Sequence, residues 1–198
     1  MALYHAAMAR KDRKRGRKTA KAHIAGVYVF CFVLVLVLTI TNVPGIYHLE
    51  VDSKVNLTLF AYFPAMAHQY FMNVLLFVPV GFLLPLLWKW FENFGRTLLC
   101  GFVFSLSIEI AQLFNERVTD VDDLLMNTLG TVAGFVIFAL IKKGGAKVSA
   151  LSIGYSNHWR GEPFVCFAFV WISVLVFKPV LSDWLLRIAF PLVTGAPG

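Results

Sequence analysis

The chain has 198 residues, 59% of them hydrophobic and only 15% charged, with a formal net charge of +7. A soluble domain is about 45–50% apolar and about 25% charged, so this composition excludes a water-soluble globule and points to an integral membrane protein of one domain. Eight of the 18 basic residues fall within the first 21 positions and no basic folded module follows them, so nucleic acid is not an expected partner.

Residues 1–21 form a basic tail around the run Arg10-Lys11-Asp12-Arg13-Lys14-Arg15-Gly16-Arg17-Lys18. A basic block directly before an apolar segment fixes membrane orientation and meets anionic lipid head groups. The apolar run behind it is too long for a cleaved signal peptide, and no A-x-A site lies between it and Pro44, so it reads as an uncleaved signal anchor. Residues 22–198 are expected to form a transmembrane domain.

Five segments approach the roughly 20 apolar residues that a membrane helix needs. They run from about His23 to Thr41, Phe71 to Trp90 (containing Pro79 and Pro85), Thr97 to Phe114, Leu124 to Ile141 and Pro163 to Leu181. Beyond the last, Asp183, Trp184 and Arg187 either continue the helix past a kink or lie in the interface. The fold class expected is therefore all-α: a polytopic membrane bundle of about five transmembrane helices.

Orientation follows from the connections. The tail, the loop with Lys89 and Arg96, and the loop with Lys142, Lys143, Lys147 and Arg160 together carry 14 basic residues, against four on the other side. The richer side belongs in the cytoplasm, with the N-terminus inside. Trp88 and Trp90 flank Lys89 as an inner interface anchor. Most acids fall on the other side, a bias that insertion rules do not explain. The long connection from Asn42 to Tyr70 either lies on the outer surface or caps a pocket. Cys31, Cys100 and Cys166 lack a CxxC spacing and read as small apolar side chains.

Glu109 interrupts the third apolar segment. A carboxylate at bilayer depth costs about 2.5–3.5 kcal/mol on insertion scales, which makes it a functional-site hypothesis by default. Ser105 and Gln112 share its helix face. With the expected topology, Asn73 lies in the first turn of the second helix, Glu109 and Gln112 near the end of the third, and Asn127 in the second turn of the fourth. All four then fall within roughly 10 Å of the outer boundary. Asp120, Asp123, Asn127, Gly130 and Gly134, spaced three or four apart, form one stripe on the fourth helix. The inference is an acidic pocket between the second, third and fourth helices, open to the outer face.

In that pocket Glu109 suits a general acid or base. Glu109, Asp120 and Asp123 could instead hold a divalent cation, and Arg117 could neutralise an acid or bind phosphate. Blander readings stand beside these. Glu109 can be a buried packing residue, Asp122 above all can simply cap the fourth helix, and Gly130 and Gly134 read as packing residues.

Three ordered stretches carry a resemblance: Asn73-Val-Leu-Leu-Phe-Val-Pro79-Val-Gly81, Ile108-Glu109-Ile-Ala-Gln112, and Arg117-Val-Thr-Asp120-Val-Asp-Asp123-Leu-Leu-Met-Asn127-Thr-Leu-Gly130-Thr-Val-Ala-Gly134. In order and spacing this set resembles the VanZ-like family of bacterial membrane proteins, with the matching core at about residues 70–141. Thr119 departs from the aromatic residue often found there. The resemblance implies a small helical domain in the bacterial cytoplasmic membrane, in a family whose founding member is linked to teicoplanin resistance. It implies no reaction.

The expected function is binding of, or action on, a cell-envelope lipid or lipid-linked precursor. Glu109, Asp120 and Asp123 would carry any chemistry, and Asn73, Gln112, Asn127 and Arg117 would bind substrate. The alternatives are a proton- or ion-coupled lipid transporter and a non-enzymatic scaffold.

Overall fold

Long apolar runs can satisfy their backbone N–H and C=O groups in lipid only as helices or closed barrels. The helical solution is the one adopted. A computed structural model describes residues 1, 6, 21–45, 55–56, 58–60, 65–114, 119–144 and 161–194. Among these residues the main elements are α1 (Lys21–Ile40), α2 (Ala67–Leu87), α3 (Phe94–Gln112), α4 (Val121–Lys143) and α5 (Glu162–Thr194). A 3-10 turn, Lys89–Phe91, links α2 to α3, and Val55–Asn56 (β1) pairs in parallel with Thr119–Asp120 (β2). Helices α1 to α4 are each long and apolar enough to cross a membrane. The chain is an all-α membrane-type bundle.

Local chemistry explains the helix ends. α1 stops at Asn42, which takes a left-handed φ of 55°. The Val43 N–H then reaches back to Leu38 O at 3.2 Å, a Schellman arrangement in which Asn is tolerated at the left-handed position. Lys178 of α5 donates to Asn42 Oδ1 (2.8 Å) and to Val43 O (2.6 Å), tying α5 to this end of α1. Asn93 caps α3 by accepting the Arg96 N–H. Pro163 lies in the first turn of α5, where its missing N–H has no helical partner to lose. α5 then continues to Thr194, well past the expected Leu181. At 33 residues it is about 50 Å long, more than a bilayer core requires.

α2 and α4 form the tightest pair, and glycine makes it possible. A Cβ on Gly81 would lie 2.1 Å from Thr131 O, and one on Gly134 would lie 2.1 Å from Val78 O. Only hydrogen fits where the two backbones approach this closely. α3 packs against α4 and α2, while α5 packs on α1. Phe30, Leu34, Phe77, Leu84, Phe104 and Ile108 fill the centre. Many large apolar side chains, including Phe71, Leu99 and Ile172, face outward, as a lipid-embedded surface requires.

At one end, where α1 and α5 begin and α2 finishes, Glu162 is fully buried. It meets His23 Nε2 at 2.7 Å and accepts the Trp88 indole N–H at 2.9 Å. Trp88 was expected as an interface anchor beside Trp90. At that end it is buried against protein, and a carboxylate from α5 accepts its N–H. Lys89, Arg96, Lys142 and Lys143 lie at this same end. The acids expected to carry chemistry lie at the other.

Candidate functional site

The acidic end is organised by the start of α4. Asp120 is extended (φ −124°, ψ 127°) and caps the helix, its Oδ1 accepting the Asp122 N–H at 3.0 Å. Asp122 and Asp123 occupy the first turn, where the helix dipole favours negative charge. The stripe expected to include Asp120 therefore begins at Asp123 within the helix, with Asp120 as its cap. The cap was expected above all of Asp122, but Asp120 provides it. The extended backbone of a cap residue leaves the helical register, and here it also joins the β1–β2 pair.

Each acid has different partners. Asp122, with no exposed surface, accepts the Tyr70 hydroxyl at 2.8 Å and the Phe60 backbone N–H at 2.9 and 3.1 Å. Phe60 is held with a left-handed φ of 55°, and its ring packs edge-on against Tyr70. Asp123, also buried, accepts Asn73 Nδ2 at 2.6 Å and Gln69 Nε2 at 3.2 and 3.3 Å. Asp120 Oδ2 accepts Asn56 Nδ2 at 3.2 Å. The loop residues Asn56 and Phe60 therefore close over the acids of α4.

α3 supplies the facing wall. Ser105, Glu109 and Gln112 lie on one side of the helix and are all buried. Glu109 Oε2 accepts the Asp120 backbone N–H at 3.2 Å, so the carboxylate of α3 meets the cap of α4 as the sequence led us to expect. One turn deeper, Asn127 Nδ2 donates to Ser105 Oγ at 2.9 Å. Gln112 turns toward α1 and donates to Thr41 O at 2.6 Å. The remaining amide oxygens, Gln112 Oε1 and Asn127 Oδ1, are buried with no hydrogen-bond partner among the described residues. Each can accept an N–H or O–H donor.

Asn73, Glu109, Asp120, Asp123 and Asn127 are thus gathered at one end of α2, α3 and α4. Gln112 is beside them but bonded to α1. Arg117 lies outside the described residues. Among the described residues these groups form a packed, hydrogen-bonded cluster. Gln69, Asn56 and Asp120, each half-buried, form its edge. No group of three His, Cys, Asp or Glu side chains among the described residues is arranged to hold a metal ion. The three acids considered for a cation are divided between an amide pair, a helix cap and a backbone N–H.

Sequence reasoning passed over Gln69, Tyr70 and the polar contacts of Asp122. Gln69 and Tyr70 precede Asn73 by four and three residues, so they share its face once the helix is known to start at Ala67 rather than Phe71. The Tyr70 hydroxyl is spent on the buried carboxylate of Asp122.

A family model described as VanZ/LLP1 matches residues 26–142. That stretch runs from the start of α1 to the end of α4 and includes every described residue of the acidic cluster. No curated protein matches the chain, and no solved structure does.

Proposed function

The chain belongs to the VanZ/LLP1 family, and from that premise we propose that its acidic cluster binds the head group of a cell-envelope lipid or lipid-linked precursor at the outer face of the bacterial cytoplasmic membrane. Fourteen of the 18 basic residues fall on the opposite side of the expected topology, which favours a cytoplasmic location for that side.

One observation carries this reading. The Glu109 carboxylate meets the α4 cap, and the unpartnered acceptors of Gln112 and of Asn127, the latter bonded to Ser105, lie about one helical turn to either side of it along α3. Buried acceptors of this kind suit a ligand rich in hydroxyl or amine donors. A ligand that reaches them from within a bilayer must itself be anchored there. The half-buried edge formed by Gln69, Asn56 and Asp120 offers its first contacts. If a reaction follows, Glu109 is the general acid or base, Asp120 and Asp123 polarise the reacting group, and Asn73, Asn127 and Arg117 orient it.

A link to glycopeptide resistance gives a test. In a bacterial host made less susceptible to teicoplanin by this chain, Glu109→Gln is expected to abolish the effect while the protein still inserts at wild-type level. Full retention of the effect by the variant would overturn the reading.

A scaffold that assembles envelope enzymes is the second reading. It draws on the glycine-mediated α2–α4 contact and on the structural bonds made by Asp120, Asp122 and Asp123. It predicts equal function for Glu109→Gln, Asp120→Asn and Asp123→Asn.

A further inference from the structure

We propose that the groove between α3 and α5 holds an anionic phospholipid of the surrounding bilayer, with an acyl chain along its aromatic wall and the phosphate on Arg96. This site is separate from the acidic cluster and does not depend on the function proposed for it. Arg96 and Glu109 lie thirteen residues apart on α3, about 20 Å along the helix axis.

Two cavities, of about 370 and 450 Å³, lie along α3 and share Ser107 and Trp171, so they meet there. Their volumes fall within the range of small-molecule sites. Leu99, Val103 and Ser107, spaced four apart, line one side, and Phe164, Phe167 and Trp171 of α5 line the other. Ring contacts bridge the helices: Phe104 and Phe167 lie 5.0 Å apart, and Trp90 and Phe164 lie 6.4 Å apart. The Ser107 hydroxyl is already donated to Phe104 O at 2.6 Å. The interior therefore offers an apolar surface to a chain-like ligand. Leu99, Val103 and Phe164 are each more than half exposed, so the groove opens sideways toward the bilayer.

One end carries a cation. Arg96 stands over the Trp90 ring at 4.9 Å and gives one N–H to Trp90 O at 3.2 Å. Among the described residues no carboxylate pairs with it, and the nearby Glu92 is bonded to Lys142 at 2.6 Å. Arg96 also lies in the first turn of α3, at the positive end of the helix dipole, where a cation is disfavoured unless an anion joins it. A guanidinium with unused donors, stacked on tryptophan at the mouth of an apolar groove, matches a lipid phosphate in charge and geometry. The surrounding lipid is at hand to fill a groove that opens into hydrocarbon, where an unfilled one would forfeit dispersion contacts.

The test uses the full-length chain reconstituted in vesicles of equal parts phosphatidylglycerol and phosphatidylethanolamine, followed by native mass spectrometry of the released protein. Wild type should retain phosphatidylglycerol in preference to phosphatidylethanolamine. Arg96→Gln should reduce that preference about fivefold, the effect of one basic residue at a lipid surface. Lys143→Gln, at the same end but outside the groove, should leave it unchanged. All three proteins carry the basic tail, so its contribution cancels. Equal preference in wild type and Arg96→Gln, an equal loss in both variants, or a lipid-free dimer would each overturn the proposal, the last because a second copy would then fill the groove.

Discussion

Gly130→Ala tests how the α2–α4 contact sets the acidic cluster. A Cβ at Gly130 would lie 2.2 Å from Val74 O and 2.9 Å from the Phe77 Cβ, against ordinary contact at 3.4 Å or more. The nearer atom is backbone, so no rotamer change relieves the clash. The helices must part locally by about 1.2 Å, the difference between those two distances. Asn73 immediately precedes Val74, and its 2.6 Å bond to Asp123 joins the same two helices. A displacement of that size stretches the bond out of hydrogen-bond range. Overpacking of this kind costs about 1–3 kcal/mol, and loss of a hydrogen bond to a charged acceptor adds about 1.5–3 kcal/mol where the acid finds no new donor. Gly144→Ala is the control, because its Cβ would meet nothing closer than 3.5 Å. An SDS titration of both variants in mild detergent micelles measures the difference. Gly130→Ala should unfold at clearly lower SDS, whereas Gly144→Ala should match wild type. Wild-type stability in Gly130→Ala would refute the claim that glycine holds these backbones together.

Two further substitutions separate buried from exposed electrostatics. Glu162→Leu removes the shared partner of His23 and Trp88 from a fully buried position and should cost about 3–5 kcal/mol, while Glu92→Gln, which breaks the partly exposed pair with Lys142, should cost about 0–1 kcal/mol. The same SDS titration ranks them, and equal losses would contradict the assignment of Glu162 to the core. Asp120→Ala should weaken the start of α4 by about 1 kcal/mol through loss of the cap, and should speed amide exchange at Asp122 first. Unchanged exchange there would show that another group caps α4.

The parts of the fold legible in the sequence were those governed by one-dimensional physics. Hydrocarbon thickness set the helices, and α1 to α4 appear within a few residues of their expected spans. The face shared by Ser105, Glu109 and Gln112 followed from helical period, as did the stripe of Asn127, Gly130 and Gly134 on α4. Less legible were positions where a side chain finds a partner far away in the chain. Asp120 and Asp122 are separated by one residue, and each is compatible with a cap. Only the approach of Tyr70 and Phe60 to Asp122, and of Glu109 to the Asp120 N–H, distinguishes their roles. Trp88 looked interfacial because its neighbour Lys89 is basic, and no local pattern reveals that Glu162, 74 residues on, accepts its N–H.

That division bears on how the acidic end can work. The contacts unreadable from sequence join α2, α3, α4 and the loop at Asn56 and Phe60 into one hydrogen-bonded unit. Asp122 is committed to Tyr70 and Phe60 and holds that loop over the cluster, while Asp123 is committed to Asn73 and Gln69 and fixes α2 against α4. These two acids therefore build the framework. The acceptors left without a partner among the described residues are Gln112 Oε1 on α3 and Asn127 Oδ1 on α4, and Glu109 meets the α4 cap from the same face of α3 as Gln112. Substitutions in the framework should lower stability and function together. A substitution at Glu109 should separate them, and it is the change on which the proposed chemistry stands.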